Sequence, residues 1–269
     1  MQEIMYDVSS LLIALLLLLS MLLAIEIGYR VGLRIMPTVR DDFKAHVNAT
    51  SASLVGILAL LLGFTFSLSL QRYDSRSEAV VDEANAIGTA YLRAQLLAEP
   101  HRGQSLALLR DYLDLRVQTG NVDLTERVRR KALIAEAGRM QARLWEYASQ
   151  ANAAAPSPVT TGLFIPALNE MIDNFGKRDA EMNRHVPEFV LLLLYATFLM
   201  TGAIVGYATG LSGHRASFVT HIMVGLIVVL VFIILDLDRP HRGLIQVSQD
   251  SLTGLQAAIR GQAGANPAE

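Results

Sequence analysis

The sequence predicts an all-α polytopic membrane protein, with four transmembrane helices and a helical extramembrane bundle continuous with the second and third spans. Three observations carry that expectation. Segments 8–28, 51–71, 187–211 and 216–235 each reach the length of about 20 mostly apolar residues that a bilayer-spanning helix needs. The chain is 52% hydrophobic and only 18% charged, with a mean hydropathy of +0.36, the balance of an integral membrane protein that also carries a polar domain. One interval of three and four residues runs through Gly63, Phe66, Leu70, Tyr73, Ser77, Val80, Ala84, Ile87, Tyr91, Ala94 and Ala98, crossing the point where charge first enters. A face repeating at that interval belongs to a single helix packed on one side, so the second span and the charged stretch after it read as one rod. The organisation expected is a first transmembrane pair over 1–71, an extramembrane helical domain over 72–186, a second pair over 187–235 and a polar C-terminal segment over 236–269.

No Lys or Arg precedes the first span, its apolar run is long, and Ala24-Ile25-Glu26 offers no small-x-small cleavage site. It reads as a retained anchor rather than a cleaved signal. The second span is uncharged from Leu54 to Leu70, whereas the stretch to Leu97 holds Arg72, Asp74, Arg76, Glu78, Asp82, Glu83 and Arg93. Proline disfavours helix in the residue before it, so this rod stops near Glu99-Pro100.

Three more helices fill the extramembrane domain. Leu106, Leu109, Leu113 and Val117 predict one over 105–118, closed by Thr119-Gly120-Asn121. Leu133, Ala137, Met140, Leu144 and Tyr147 predict another over 124–152, giving way to the linker Ala153-Ala154-Ala155-Pro156-Ser157-Pro158. Leu168, Met171, Ile172, Phe175 and Met182 predict the last over 166–185, with Pro166 at its first position and Pro187 permitting a kink into the third span. In that span Gly202, Gly206 and Gly210 form a ladder that lets another helix approach closely, within one chain or between subunits. Beyond the fourth span Pro240 and Gly243 end the helix, a short amphipathic piece follows over 244–259, and the last residues fray.

Orientation is read from bases in short loops. Arg30, Arg34, Arg40, Lys44 and Arg215 lie on one side, against Arg239 and Arg242 on the other, and the head before the first span has Glu3 and Asp7 with no base. This count places the helical domain outside the cytoplasm, on the periplasmic side. Arg72, Arg76, Lys177, Arg178 and Arg184 flank the inner spans from the opposite side, and counting them reverses the balance, leaving a cytoplasmic placement open. The absence of cysteine excludes disulfides and thiolate metal sites, and a net charge of −2 gives no footprint for nucleic acid.

No enzyme motif is present, and neither a cofactor nor a metal is expected: there is no Gly-rich phosphate loop, no His-Glu-x-x-His, no nucleophile elbow, and the six histidines are scattered. His221 alone lies inside a span. Its ordinary reading is a neutral ring hydrogen-bonded to a neighbouring helix, its competing one a proton relay. Thr65, Ser69, Arg72 and Arg76 share a face of the second span, beside Phe66 on the adjoining seam. Around an axis formed by several copies, hydroxyls would line the narrow part and guanidinium groups crown its mouth, an arrangement suited to small anions. The plainer reading bonds Thr65 and Ser69 to carbonyls one turn back and leaves the arginines at the interface beside Asp74 and Glu78. Glu26, Asp236 and Asp238 lie at span ends, where salt bridges with Arg30 or Arg239 satisfy them and ion coordination is the alternative. Between Glu83 and Arg93, the small residues Ala84, Ala86, Gly88 and Ala90 allow close packing, and Asn85 and Thr89 lie four apart. With Arg93, Asn169, Glu170 and Asp173 they form an expected polar layer that sets the bundle's register or, alternatively, binds a ligand.

The chain resembles a known family in Gly63-Phe64-Thr65 with Arg72-Tyr73-Asp74, in the block from Glu83 to Arg93, in Pro166-Ala167-Leu168-Asn169-Glu170-Met171-Ile172-Asp173, and in Asp236-Leu237-Asp238-Arg239-Pro240 with Gly243-Leu244-Ile245. These look like the bacterial bestrophin-like membrane proteins, a domain of unknown function. The label points to bestrophins, pentameric anion channels whose second span lines the pore and whose helical domain is cytoplasmic, and the resemblance implies as much here. Two functions compete: a homo-oligomeric anion channel with the second span at its axis, and a non-conducting sensor or scaffold whose helical domain signals through that span. A membrane enzyme ranks third.

Overall fold

The computed structural model describes residues 9–122, 126–184, 186–239 and 244–265. Glu3, Asp7, Leu124, His185, Pro240, Arg242 and Gly243, to which the sequence assigned roles, lie outside them. Every regular element among the described residues is helical: α1 Ser10–Ile35, α2 Asp41–Ala94, α3 His101–Gly120, α4 Arg127–Ala154, α5 Thr161–Met182, α6 Glu188–Leu211, α7 Phe218–Leu237 and α8 Asp250–Ala265, with a 3-10 turn at Met36–Thr38. Helices α1, α2, α6 and α7 are long and apolar enough to cross a membrane.

Local sequence explains most boundaries. Ser9 and Ser217 cap α1 and α7, each side chain accepting a backbone N–H three residues on. Helix α2 starts ten residues before the expected second span, because nothing in Asp41 to Thr50 breaks a helix and two aspartates occupy its positive end. It then runs 54 residues without interruption, about 80 Å at 1.5 Å per residue. Helix α5 also starts early, at Thr161, so Pro166 lies inside it rather than at its first position. Thr161 Oγ1 donates to Asn152 Oδ1 at 3.0 Å and the Gly162 and Phe164 amides bond back to Ser157 and Thr160, so the first turn is secured ahead of the proline. The turn between α6 and α7 uses Gly213 at φ +73°, which a residue with a Cβ adopts only with strain.

The chain forms two compact units, the first within Met1–Arg72, His185–Arg239 and Gly243–Ile245, the second within Tyr73–Arg184, Pro240–Arg242 and Gln246–Glu269. The boundary falls inside α2. The core of the first unit joins Leu17, Met21 and Ile25 of α1 with Leu58 and Leu62 of α2, Leu194 and Phe198 of α6, and Val224, Val231 and Ile234 of α7. The core of the second joins Ile87 and Ala90 of α2, Leu109 and Tyr112 of α3, Ala137 and Leu144 of α4, Phe164 and Leu168 of α5, and Leu252 of α8.

Helices α1 and α6 interlock through glycines from both sides. A Cβ on Gly206 would strike the Ile25 carbonyl, one on Gly210 the Tyr29 carbonyl, and one on Gly28 or Gly32 the Ala203 or Tyr207 carbonyl. Backbone cannot swing aside as a side chain can, so Gly206→Leu should force the helices apart at a cost of about 1–3 kcal/mol or more. The expected result is a lower Tm for the detergent-solubilised protein. Gly225→Ala, at a glycine with open space around it, should leave Tm nearly unchanged.

Candidate functional site

The polar stripe of the second span turns inward. Thr65 and Ser69 are buried within the first unit and Arg76 within the second, so these side chains are not on the protomer surface as lining an axis requires. Thr65 Oγ1 donates to the Leu61 carbonyl one turn back at 2.7 Å. Ser69 Oγ is buried with no hydrogen-bond partner among the described residues. Arg76 donates to the carbonyls of Glu181, at 3.2 Å, and Arg184, oxygens in the last turn of α5 and just beyond it. Burial of a guanidinium is explained there by capping. Phe66 packs against the first unit's core. The face that α2 turns outward is apolar: Ile57, Leu60, Phe64 and Leu68 follow one another at intervals of three, four and four, with Leu60 and Phe64 63% and 67% exposed. Among the described residues, no atom outside the adjoining helix backbone stands within 4 Å of a Cβ placed on Gly56 or Gly63 along that side. Only 22–28% of each span's apolar window is buried in the protomer, which leaves most of its area for lipid or other subunits.

A second cluster gathers where α7 ends. Asp236 Oδ2 accepts the Ile245 amide at 2.9 Å, and Asp238 accepts the Val186 amide ahead of α6 through both oxygens, at 3.2 and 3.1 Å. Arg239 donates to Ser10 Oγ at 3.1 Å, and Arg72 Nη1 stands 3.5 Å from Asp238 Oδ1. All four residues of the Asp-Leu-Asp-Arg motif are buried. They tie the starts of α1 and α6 to the end of α7, and Arg72 of α2 to the same carboxylate. Glu26 pairs with Arg30 one turn on, at 2.7 Å. Replacing Asp238 by Ala strips the Val186 amide of its acceptor and Arg72 of its counter-charge, and should cost about 1–3 kcal/mol. Asp238→Asn keeps an acceptor oxygen and should recover part of that loss, as read by Tm. His221 bonds the Ser217 carbonyl of its own helix at 2.9 Å, not a neighbouring helix as expected, because it stands in the first turn of α7.

The expected polar layer does not assemble. Asn85, Asn169, Glu170 and Asp173 are exposed, Thr89 is half-buried, and Arg93 donates to the Leu163 carbonyl at 3.1 Å instead of to a carboxylate. Asn85, two residues on from the buried Glu83, turns away from the interior of the unit. Glu83 of α2 occupies that interior position. Its Oε1 accepts from Arg116 Nε of α3 at 2.6 Å, its Oε2 accepts from Arg178 Nη1 of α5, and Arg178 Nη2 donates to Gln249 Oε1 at 2.7 Å. Glu83, Arg116 and Arg178 are almost wholly buried, and the Arg116 guanidinium lies 4.6 Å above the Phe175 ring. Beside them the Tyr112 hydroxyl accepts from Gln141 Nε2 at 3.0 Å. Burial raises the pKa of that hydroxyl, so it stays neutral.

Against known proteins, a family profile described as a bestrophin-like domain matches residues 19–252, most of the chain. Among solved structures, a protein described as a membrane protein superposes with a TM-score of 0.71 at 17% identity, covering 93% of this chain and 98% of its own. A bacterial bestrophin homologue from Klebsiella pneumoniae, in two single-residue variants, gives TM-scores of 0.69 at 16% identity and 0.68 at 20%, covering 96% and 93% of this chain and 100% and 97% of theirs. No curated protein matches. At such identities the likeness is one of fold.

Proposed function

This chain belongs to the bestrophin-like family, and from that premise we propose that it is a homo-oligomeric, channel-like protein of the bacterial inner membrane that passes small anions, with the second span facing the axis. The observation that supports the reading is the outward apolar face of α2, Ile57, Leu60, Phe64 and Leu68, with Gly56 and Gly63 beside it. Repeated around an axis, it makes a narrow hydrophobic constriction, a kind of gate that works by dewetting. In this reading the axis residue is Phe64 rather than Thr65 or Ser69. Arg72, whose side chain is a quarter exposed, supplies positive charge near the mouth.

The test is flux. Purified oligomer in vesicles loaded with a chloride-quenched dye should pass chloride, and a well-folded oligomer that passes none overturns the channel. The unbroken course of α2 favours the second reading in that event, a sensor or scaffold in which movement is carried along one helix. Sidedness is decided separately by a cysteine at Gln118, an exposed position in a chain without cysteine, challenged in intact cells with an impermeant thiol reagent.

A further inference from the structure

We propose that the second unit holds a small monovalent anion, of the halide class, in the cavity between α3, α4 and α5 lined by Arg116, Thr119, Gly120, Arg130, Arg178 and Asp179. The cavity measures about 20 Å³, room for one water-sized or monatomic group and too little for a polyatomic organic anion. Three arginines line it, and the carboxylates that answer them are two. Glu83 binds Arg116 and Arg178, and Asp179 binds Arg130 Nη2 at 2.8 Å, which leaves one formal positive charge where Arg116 and Arg178 are buried and Arg130 and Asp179 partly so.

Donors remain to receive an anion. Arg116 spends only Nε on Glu83, and its two terminal nitrogens make no hydrogen bond among the described residues. Arg130 uses both terminal nitrogens, on Asp179 and Asn183 Oδ1, and its Nε makes none. Burial lowers the pKa of Arg130 and of Arg178, and the Arg116 charge adds repulsion to both while Asp179 and Glu83 oppose it. Like charges held together in low dielectric are relieved by a counter-ion, and hydrogen bonds from a guanidinium to an anion are among the stronger ones available. The site does not rest on conduction: a non-conducting scaffold would keep it.

The experiment is the Tm of the full-length, detergent-solubilised oligomer, titrated with sodium bromide or chloride against sodium gluconate at constant ionic strength. A ligand that binds only the folded state raises Tm along a saturating curve. The expected result is such a curve for halide and none for gluconate, its loss in Arg130→Gln, which makes the cavity neutral, and its retention in Arg130→Lys. Equal curves in halide and gluconate, or an unchanged halide curve in Arg130→Gln, overturn the site. Should Arg130→Gln fail to fold, crystals of the wild-type protein grown in bromide decide: an anomalous peak within reach of Arg116 supports the proposal, and its absence from the cavity overturns it.

Discussion

Replacing Glu83 with alanine should destabilise the helical unit by about 3–5 kcal/mol, the cost of leaving a buried counter-charge unpaired. The reason is geometric. Each oxygen of one carboxylate engages a different arginine, Arg116 on α3 and Arg178 on α5, so a single substitution orphans two cations that are only 3% exposed. Neither can escape to water without unpacking its helix. Glu83→Gln keeps the volume and one acceptor but loses the charge, and should fall between wild type and alanine. The informative control is a triple variant, Glu83→Leu with Arg116→Met and Arg178→Met. Replacing a buried ionic set with apolar side chains of similar size is often neutral or stabilising. Thermal and denaturant melts of the solubilised protein should therefore show a large loss for Glu83→Ala and near-complete recovery in the triple variant. A Glu83→Ala midpoint equal to wild type would mean that the cluster does not hold the bundle together.

That cluster also shows how far a sequence can be read and where the reading fails. Helix periodicity reports which face is covered, and it located all four spans and the helices of the bundle because apolar side chains dominate each face. The covered positions of the cluster carry charge instead. Glu83 falls at intervals of four and three after Arg76 and Val80, Arg116 follows Leu109 and Tyr112, and Arg178 follows Met171 and Phe175. Counting only apolar residues passes over such positions, whereas a charge in phase with an apolar stripe is itself the signal of a buried ion pair. Asn85 and Thr89 lie among small residues, but smallness reports close approach and not which polar atom faces inward. The inward turn of Thr65 and Ser69 escaped for a related reason. In a membrane span both the lipid face and the packed face are free of charge, so periodicity of polarity points hydroxyls toward protein without saying whether it is the same subunit or another. Boundaries were legible where breakers exist, as at Gly120 and Pro187. They were missed at Asp41, where an ordinary polar sequence continues the helix.

The largest functional effect should come from Phe64. If its ring narrows an axial path, Phe64→Ala widens and wets that path in every subunit at once, and chloride flux should rise severalfold. The per-subunit effects add in the barrier: a few tenths of a kcal/mol from each of several subunits approaches about 1.4 kcal/mol, a factor of ten in rate. Leu60→Ala, one turn away on the same outward face and of similar exposure, should act in the same direction. Thr65→Ala removes only a hydroxyl bonded to the Leu61 carbonyl inside the protomer, so its flux should stay near wild type. Size-exclusion chromatography of each variant separates changed permeation from changed assembly. The opposite pattern, Phe64→Ala silent and Thr65→Ala altered, would place the buried stripe at the axis. The protomer would then have to open its own core to conduct, and the outward apolar face would be left to lipid.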